Sequence, residues 1–469
     1  MKRRNFLKIG AAAGMAMLTP WSRYALAAED LRRFEGPYWI TINLTGAWDS
    51  TLFCDPKGDL IDDNHNKGPI NQFHRDEIVS LDVGGVTARL APGIHPGTGN
   101  SYYHHVSANG GEPVHVLSHL AARGVTLFNG IDAGLTNHRS GEQLAMAGST
   151  AADFPTLAAM VARHNLVDRD DPPNGPMPLL SFGGYDGTAN EVPATRLARL
   201  EVLGQITQPD HIGPTNIGAR IHGDARSDLI NGALNARREL LVGRSLMPGR
   251  AAAMSQLFVA RSKESYVDGL LNLFDFQEFE AIDRGSDALK RQAYVALRAF
   301  AGGLAVGANL VLGGWDTHSN NDRGQASAMT KLFRALIYLK DQAEALGIAD
   351  RLNIVVGSDF GRTTFYKSRD AENVPTENSG KDHHSVTSWM TMLWANGRDN
   401  GLRVVGESDD NVFARGLTPQ LEIAPPGQGT VLTPAHLHTD LRRVAGIGGT
   451  ALDEKYPLQI EGDPLRLWA

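Results

Sequence analysis

"LVLGGWDTHSNN", residues 310–321, runs from an apolar stretch through two glycines into Asp316 and His318, a carboxylate and an imidazole two positions apart. Read as a buried strand that ends in a loop, it puts polar chemistry at a carboxyl strand end. That is the edge at which open α/β sheets hold their ligands. Asp and His are also common oxygen and nitrogen ligands of a divalent metal.

Working outward, the same arrangement recurs. "PYWITINLTGAWDS" (37–50) reads as a strand over Trp39–Leu44 followed by Gly46 and Asp49. "VTLFNGI" (125–131) is a strand, with His138 beyond it at a helix start. "LNIVVG" (352–357) leads into Asp359, and "GKDHH" (380–384) precedes an apolar run at 386–395. A further short strand is expected at 177–184, and helical spacing marks 113–124, 141–148, 155–164, about 321–346 and 433–447. Alternating strands and helices predict an α/β fold with a mainly parallel central sheet covered on both faces. Residues from about 224 to 302 show helical periodicity with few strand signals and are read as a helical insertion.

The chain has 469 residues, 42% of them hydrophobic and 21% charged, ordinary values for a globular protein. A net charge of −7 argues against non-specific nucleic-acid binding and leaves small anions open as ligands. "KRRNFLKIG" carries twin arginines, Arg3 and Arg4, and resembles a twin-arginine export signal. Ile9–Leu18 is too short an apolar run to span a bilayer readily, and Ala25-Leu26-Ala27 is a small-x-small cleavage site. The expectation is a leader over 1–27, a mature domain over 28–469, passage through the twin-arginine translocase to the periplasm or beyond, and no stable membrane span. The single cysteine, Cys54, cannot form an intramolecular bridge and reads as a small buried hydrophobe.

In a parallel sheet the strand ends share one edge, so Asp49, His138, Asp316, His318, Asp359 and the Asp382-His383-His384 run can converge. Chemistry that needs such a set is hydrolysis of a small anionic ester on one or two divalent ions. Mixed Asp and His ligation suits zinc or manganese better than magnesium. The residues leave other readings open. Asp49 also fits a turn after its strand, and Asp316 a helix cap. Arg362 fits either an anion contact or a structural ion pair. His104-His105 reads as a solvated loop, and His436 and His438 as surface residues.

"GGWDTHSN", "SDFGRT", "GKDHH" and the twin-arginine start, in that order, resemble the bacterial family catalogued as domain of unknown function 1501. Its members show Gly-Trp-Asp-Thr-His, then Ser-Glu/Asp-Phe-Gly-Arg, then Gly-x-Asp-His. That family looks like a branch of the alkaline phosphatase and sulfatase superfamily. The resemblance implies an alkaline phosphatase-like three-layer sandwich and metal-dependent hydrolysis of phosphate or sulfate esters. It implies metal ligands at Asp49, Asp316, His318, Asp359 and His383, the last favoured over His384, with one member of the His pair orienting the other. Two departures stand out. Phe360 follows Asp359 where the superfamily carries His or Asn. The helix "HRSGEQLAMAG" (138–148) resembles the superfamily's active-site helix with His138 in the nucleophile slot, open to roles as nucleophile, general acid or ligand. An exported binding or assembly protein with a degenerate metal site, and a phosphotransferase or mutase, are the alternatives.

Overall fold

The computed structural model describes residues 34–62, 67–93, 104–107, 112–167, 177–197, scattered positions between 225 and 240, 275–372, 374–376 and 378–468. The expected leader and most of the expected insertion lie outside them.

Tyr38–Leu44 (β1) is buried at every position, which a strand covered on both faces requires. The sheet continues with Val125–Asp132 (β2), Leu179–Ser181 (β3), Ala194–Arg196 (β4), Gly307–Leu312 (β5), Leu352–Ser358 (β6), Val386–Leu393 (β7) and Leu402–Val405 (β8). Its spatial order is β8-β2-β7-β6-β1-β5-β3-β4. β7 is antiparallel to both its neighbours, and every other pairing is parallel. Two reversals cancel, so the carboxyl ends of β1, β2, β5 and β6 and the amino end of β7 share one edge.

The helices that cover the sheet include Val116–Ala121 (α1), His138–Ala147 (α2), Leu157–Leu166 (α3), Ala288–Ala301 (α4), Asn321–Ala345 (α5) and Pro434–Val444 (α6). Strand alternation sorts them by face. Asn43 of β1 donates to Glu142 of α2 at 2.8 Å, while Tyr38, of opposite parity, stacks on Phe300 of α4 at 4.9 Å. α2, α3 and α6 pack together on the first face, and α1, α4 and α5 on the second. The fold is therefore the expected layered α/β sandwich. α4 lies within the expected insertion, yet it buries Leu289, Tyr294, Leu297 and Phe300 against the sheet and belongs to the core.

Three histidine expectations change. His436 and His438 are buried, not surface residues. His438 Nε2 meets the Ala145 carbonyl at 3.0 Å, and burial pushes its pKa down to about 3, so it is a neutral packing residue between α6 and α2. His104 is buried against the Phe53 ring rather than solvated. Cys54 is buried as expected, and burial pushes its thiol pKa up.

Candidate metal centre

Three loops at the shared edge build the site: Thr45–Asp49 after β1, Gly313–His318 after β5, and Asp359–Arg362 after β6. The first two touch backbone to backbone. Gly46 has φ +119°, and a Cβ there would sit 2.3 Å from the Asp316 nitrogen, so only glycine fits. Arg362 joins all three loops from inside. Its guanidinium donates to the carbonyls of Gly46, Trp315 (2.7 Å), Ala47 (3.3 Å) and Lys381 (3.3 Å), and to Asp316 Oδ1 at 2.6 Å. The side chain has no exposed surface. Of the two roles open to Arg362, its surroundings are those of the structural ion pair, because its donors are sealed inside the loops.

Gln325 of α5 adds a second brace. It donates to the Ala47 carbonyl (3.1 Å), the Trp315 carbonyl (2.9 Å) and Thr317 Oγ1 (3.0 Å), and accepts from the Asp49 N–H (3.0 Å). Nothing in the sequence marks this glutamine, since the groups it meets are mostly backbone.

Asp316 stands at the centre, half-exposed. Its Oδ1 lies 3.0 Å from His318 Nε2, 3.5 Å from His383 Nε2 and 3.6 Å from His138 Nε2, beside the Arg362 contact. Burial works to raise its pKa, but the hydrogen bond and charge of Arg362 outweigh that and hold it below the ordinary carboxylate value. His138 is the first residue of α2, whose Asn137 cap accepts the Ser140 N–H. A Cβ at Gly141 would come within 2.7 Å of the Asp359 carbonyl, so glycine lets α2 lie against the β6 loop. His138 Nδ1 then meets Asp359 Oδ2 at 2.6 Å. An ionised carboxylate only accepts, so Nδ1 carries the proton and Nε2 presents its lone pair toward Asp316. That bond raises the His138 pKa.

Asp359 is fully occupied. Its oxygens also accept the N–H groups of Ala47 (2.6 Å), Gly46 (3.2 Å) and Phe360 (3.2 Å). It is expected from sequence as a ligand, but its geometry is that of the carboxylate that orients a ligating histidine. His318 is oriented by a lysine. Lys367 Nζ lies 2.9 Å from its Nδ1, and an ammonium only donates, so Nε2 carries the proton and donates to Asp316.

A hairpin of Gly361–Tyr366 and Lys381–His384 delivers the last imidazole, pairing His383 with Arg362. Burial, with the Arg362 guanidinium adding positive field, holds the His383 pKa below the ordinary imidazole value, so it is neutral and able to ligate. His384, its neighbour in the strand, faces the other way, as alternation requires, and packs toward Phe413 instead. The structure does not bring His384 into the cluster. Nor does it bring Asp49, which is buried against Lys381 Nζ (2.9 Å) and accepts from Asn321 (2.9 Å) and Thr51. Burial alone would raise the Asp49 pKa; Lys381, Thr51 and Asn321 outweigh it and hold it low. A buried carboxylate already neutralised by a lysine has no need of a cation, so the surroundings of Asp49 are those of a structural ion pair.

Two sets of ligand atoms, each within 4.8 Å of one another, remain among the described residues: His138, Asp316 and His383, and His318, Asp382 and His383. Phe360, fully buried, lies 4.7 Å from the rings of both His138 and His383 and walls the site.

The sequence model of the family described as "Protein of unknown function (DUF1501)" matches residues 264–418, which include Asp316, His318, Asp359 and His383 but not His138. No curated protein matches the chain. Among solved structures, Ps i-CgsB in complex with k-i-k-neocarrahexaose is similar at 11% identity, 92% of this chain, 75% of that chain and a TM-score of 0.31. Alkaline phosphatase from the Antarctic bacterium TAB5 is similar at 9% identity, 79% of this chain, 95% of that chain and a TM-score of 0.27. These are distant likenesses.

Proposed function

We propose that this protein is a metal-dependent hydrolase of phosphate or sulfate esters, with a divalent ion held by His138 Nε2, His383 Nε2 and the Asp316 carboxylate. One observation carries the reading. His138 Nε2 and His383 Nε2 are buried, make no hydrogen bond, and converge on one carboxylate oxygen. Leaving such atoms unpaired costs about 1–3 kcal/mol each, and a cation between them removes that cost. The mixed nitrogen and oxygen donors fit zinc or manganese. Three protein ligands with a further position open is the pattern of catalytic rather than structural zinc. Such an ion would polarise an ester oxygen and lower the pKa of water.

The chain's own groups do the rest. Asp359 fixes the His138 tautomer, and Arg362 and His318 fix the Asp316 carboxylate. The amino end of α2 faces the cluster and favours negative charge there. The twin-arginine leader expected from the sequence would suit this assignment, since that route carries folded proteins, often ones that have acquired a metal; no described helix is long and apolar enough to cross a membrane.

The test is the purified protein, supplied with zinc or manganese, on a panel of phosphate and sulfate esters. Metal-dependent turnover of either class supports the reading; a protein that binds no metal and turns over neither class overturns it. Bound metal without turnover would favour an exported binding protein, a reading the Phe360 wall and the sealed Arg362 support.

Asp359→Asn is expected to weaken zinc binding about 10- to 100-fold, the usual loss when an orienting carboxylate is removed. It also moves the pH dependence. A proton on His138 competes with the ion, and Asp359 raises the pKa at which that proton leaves. Wild-type zinc affinity therefore declines as pH falls through a range above about 6.5, the free imidazole value. In D359N the decline shifts to lower pH. Zinc titrations at a series of pH values check both; coincident curves for the two proteins would contradict the role given to Asp359.

A further inference from the structure

Lys367 leaves the end of the hairpin's first strand, and its own N–H donates to the Gly380 carbonyl at 2.8 Å, which fixes its place. Its Nζ lies 2.9 Å from His318 Nδ1 and 3.1 Å from Asp382 Oδ2. His318 and Asp382 are two of the three members of the second candidate ligand set, and the third, His383, is shared with the first. An ammonium thus stands among the atoms that would hold a second cation.

We infer that Lys367 takes the place of a second metal ion: the centre holds one divalent ion, and the lysine supplies the other positive charge against which an oxyanion rests. This deepens the hydrolase reading and depends on it. Three further features agree. Phe360 puts an apolar ring beside His138 and His383, so that wall offers no further ligand atom. Lys367 keeps 37% of its side-chain surface exposed, whereas Arg362 has none, so of these two cations it is the one that can meet a substrate. Among the described residues its two contacts use two of the three ammonium donors, leaving one for a phosphate or sulfate oxygen. A second dication would have to displace this charge and compete for His383. A lysine in this position acts on the anion as a point charge, without the paired geometry of an arginine.

The experiment compares full-length wild type, Lys367→Met, Lys367→Arg and the double variant K367M/D382N. Each is loaded with excess zinc and dialysed. Zinc per chain is counted by native mass spectrometry, and inorganic phosphate binding is measured calorimetrically at one zinc equivalent. Wild type and K367R are expected to hold one zinc, K367M two, and K367M/D382N one again. Phosphate affinity is expected to fall about tenfold in K367M, the loss of one charge-assisted hydrogen bond, and to hold in K367R. Two zinc ions on wild type, a K367M that still takes one, or unchanged phosphate affinity in K367M each overturn the inference. Two ions on wild type would leave the hydrolase reading standing; none would end both.

Discussion

Asp316→Ala is expected to empty the centre. Removing the residue on which all three imidazoles converge takes away one of the three proposed ligands and the negative charge that would balance the ion. Loss of a mere orienting partner already costs about 10- to 100-fold in metal affinity, so losing the ligand itself is expected to cost at least a hundredfold. Hydrolysis falls with it. Arg362 also loses its only carboxylate partner among the described residues, which adds a destabilisation of about 1–3 kcal/mol. Asp316→Asn separates the two effects. It keeps an acceptor for Arg362 and much of the stability, but not the charge that binds the ion. Chelator competition measures the affinity and chemical denaturation the stability. Zinc affinity in D316A within a few-fold of wild type would contradict the assignment.

Arg362→Ala carries the largest stability effect. The guanidinium is buried, and the carbonyls of Gly46, Ala47, Trp315 and Lys381 lean on it together with Asp316. Deleting it leaves several buried carbonyls without a donor, at about 1–3 kcal/mol for each group left unsatisfied. Over several groups that is a large share of the roughly 5–15 kcal/mol a folded protein has in hand. Arg362→Lys is expected to recover little, because a single ammonium cannot reach several divergent acceptors at once. Denaturation midpoints for R362A and R362K check this. An R362A protein as stable as wild type would show that the loops hold themselves. Stability lost in R362A but fully restored in R362K would show that charge, not geometry, is what matters.

The edge of the sheet was readable from the chain. Strands at 38–44, 307–312 and 352–358 are mainly apolar and almost wholly buried, each has an acid shortly beyond its end, and the structure builds them as neighbours. That pattern is why Asp316, His318, Asp359, His383 and His138 could be gathered before any coordinate. Their individual roles were not readable. Asp359 and Asp49 look alike in sequence, each an acid beyond a buried strand. They part company only because His138 reaches one and Lys381, far along the chain, reaches the other. Arg362 was open between two roles that depend on its surroundings; the carbonyls that claim it are backbone atoms with no sequence signature. The direction of β7 was missed because an apolar strand reads the same both ways. The hairpin before it was missed because a polar connection interrupts its weak alternation. His436 and His438 were placed on the surface by residue type, although each lies on a buried part of α6.

The proposed grip of His138, Asp316 and His383 on one cation can be seen directly. Its most direct measurement is anomalous scattering at the zinc edge from crystals of the zinc-loaded protein. A single strong peak is expected about 2.0–2.2 Å from His138 Nε2, His383 Nε2 and an Asp316 oxygen, the distances zinc takes to such ligands. No peak among these residues, in crystals that otherwise show them ordered and converging, would contradict it.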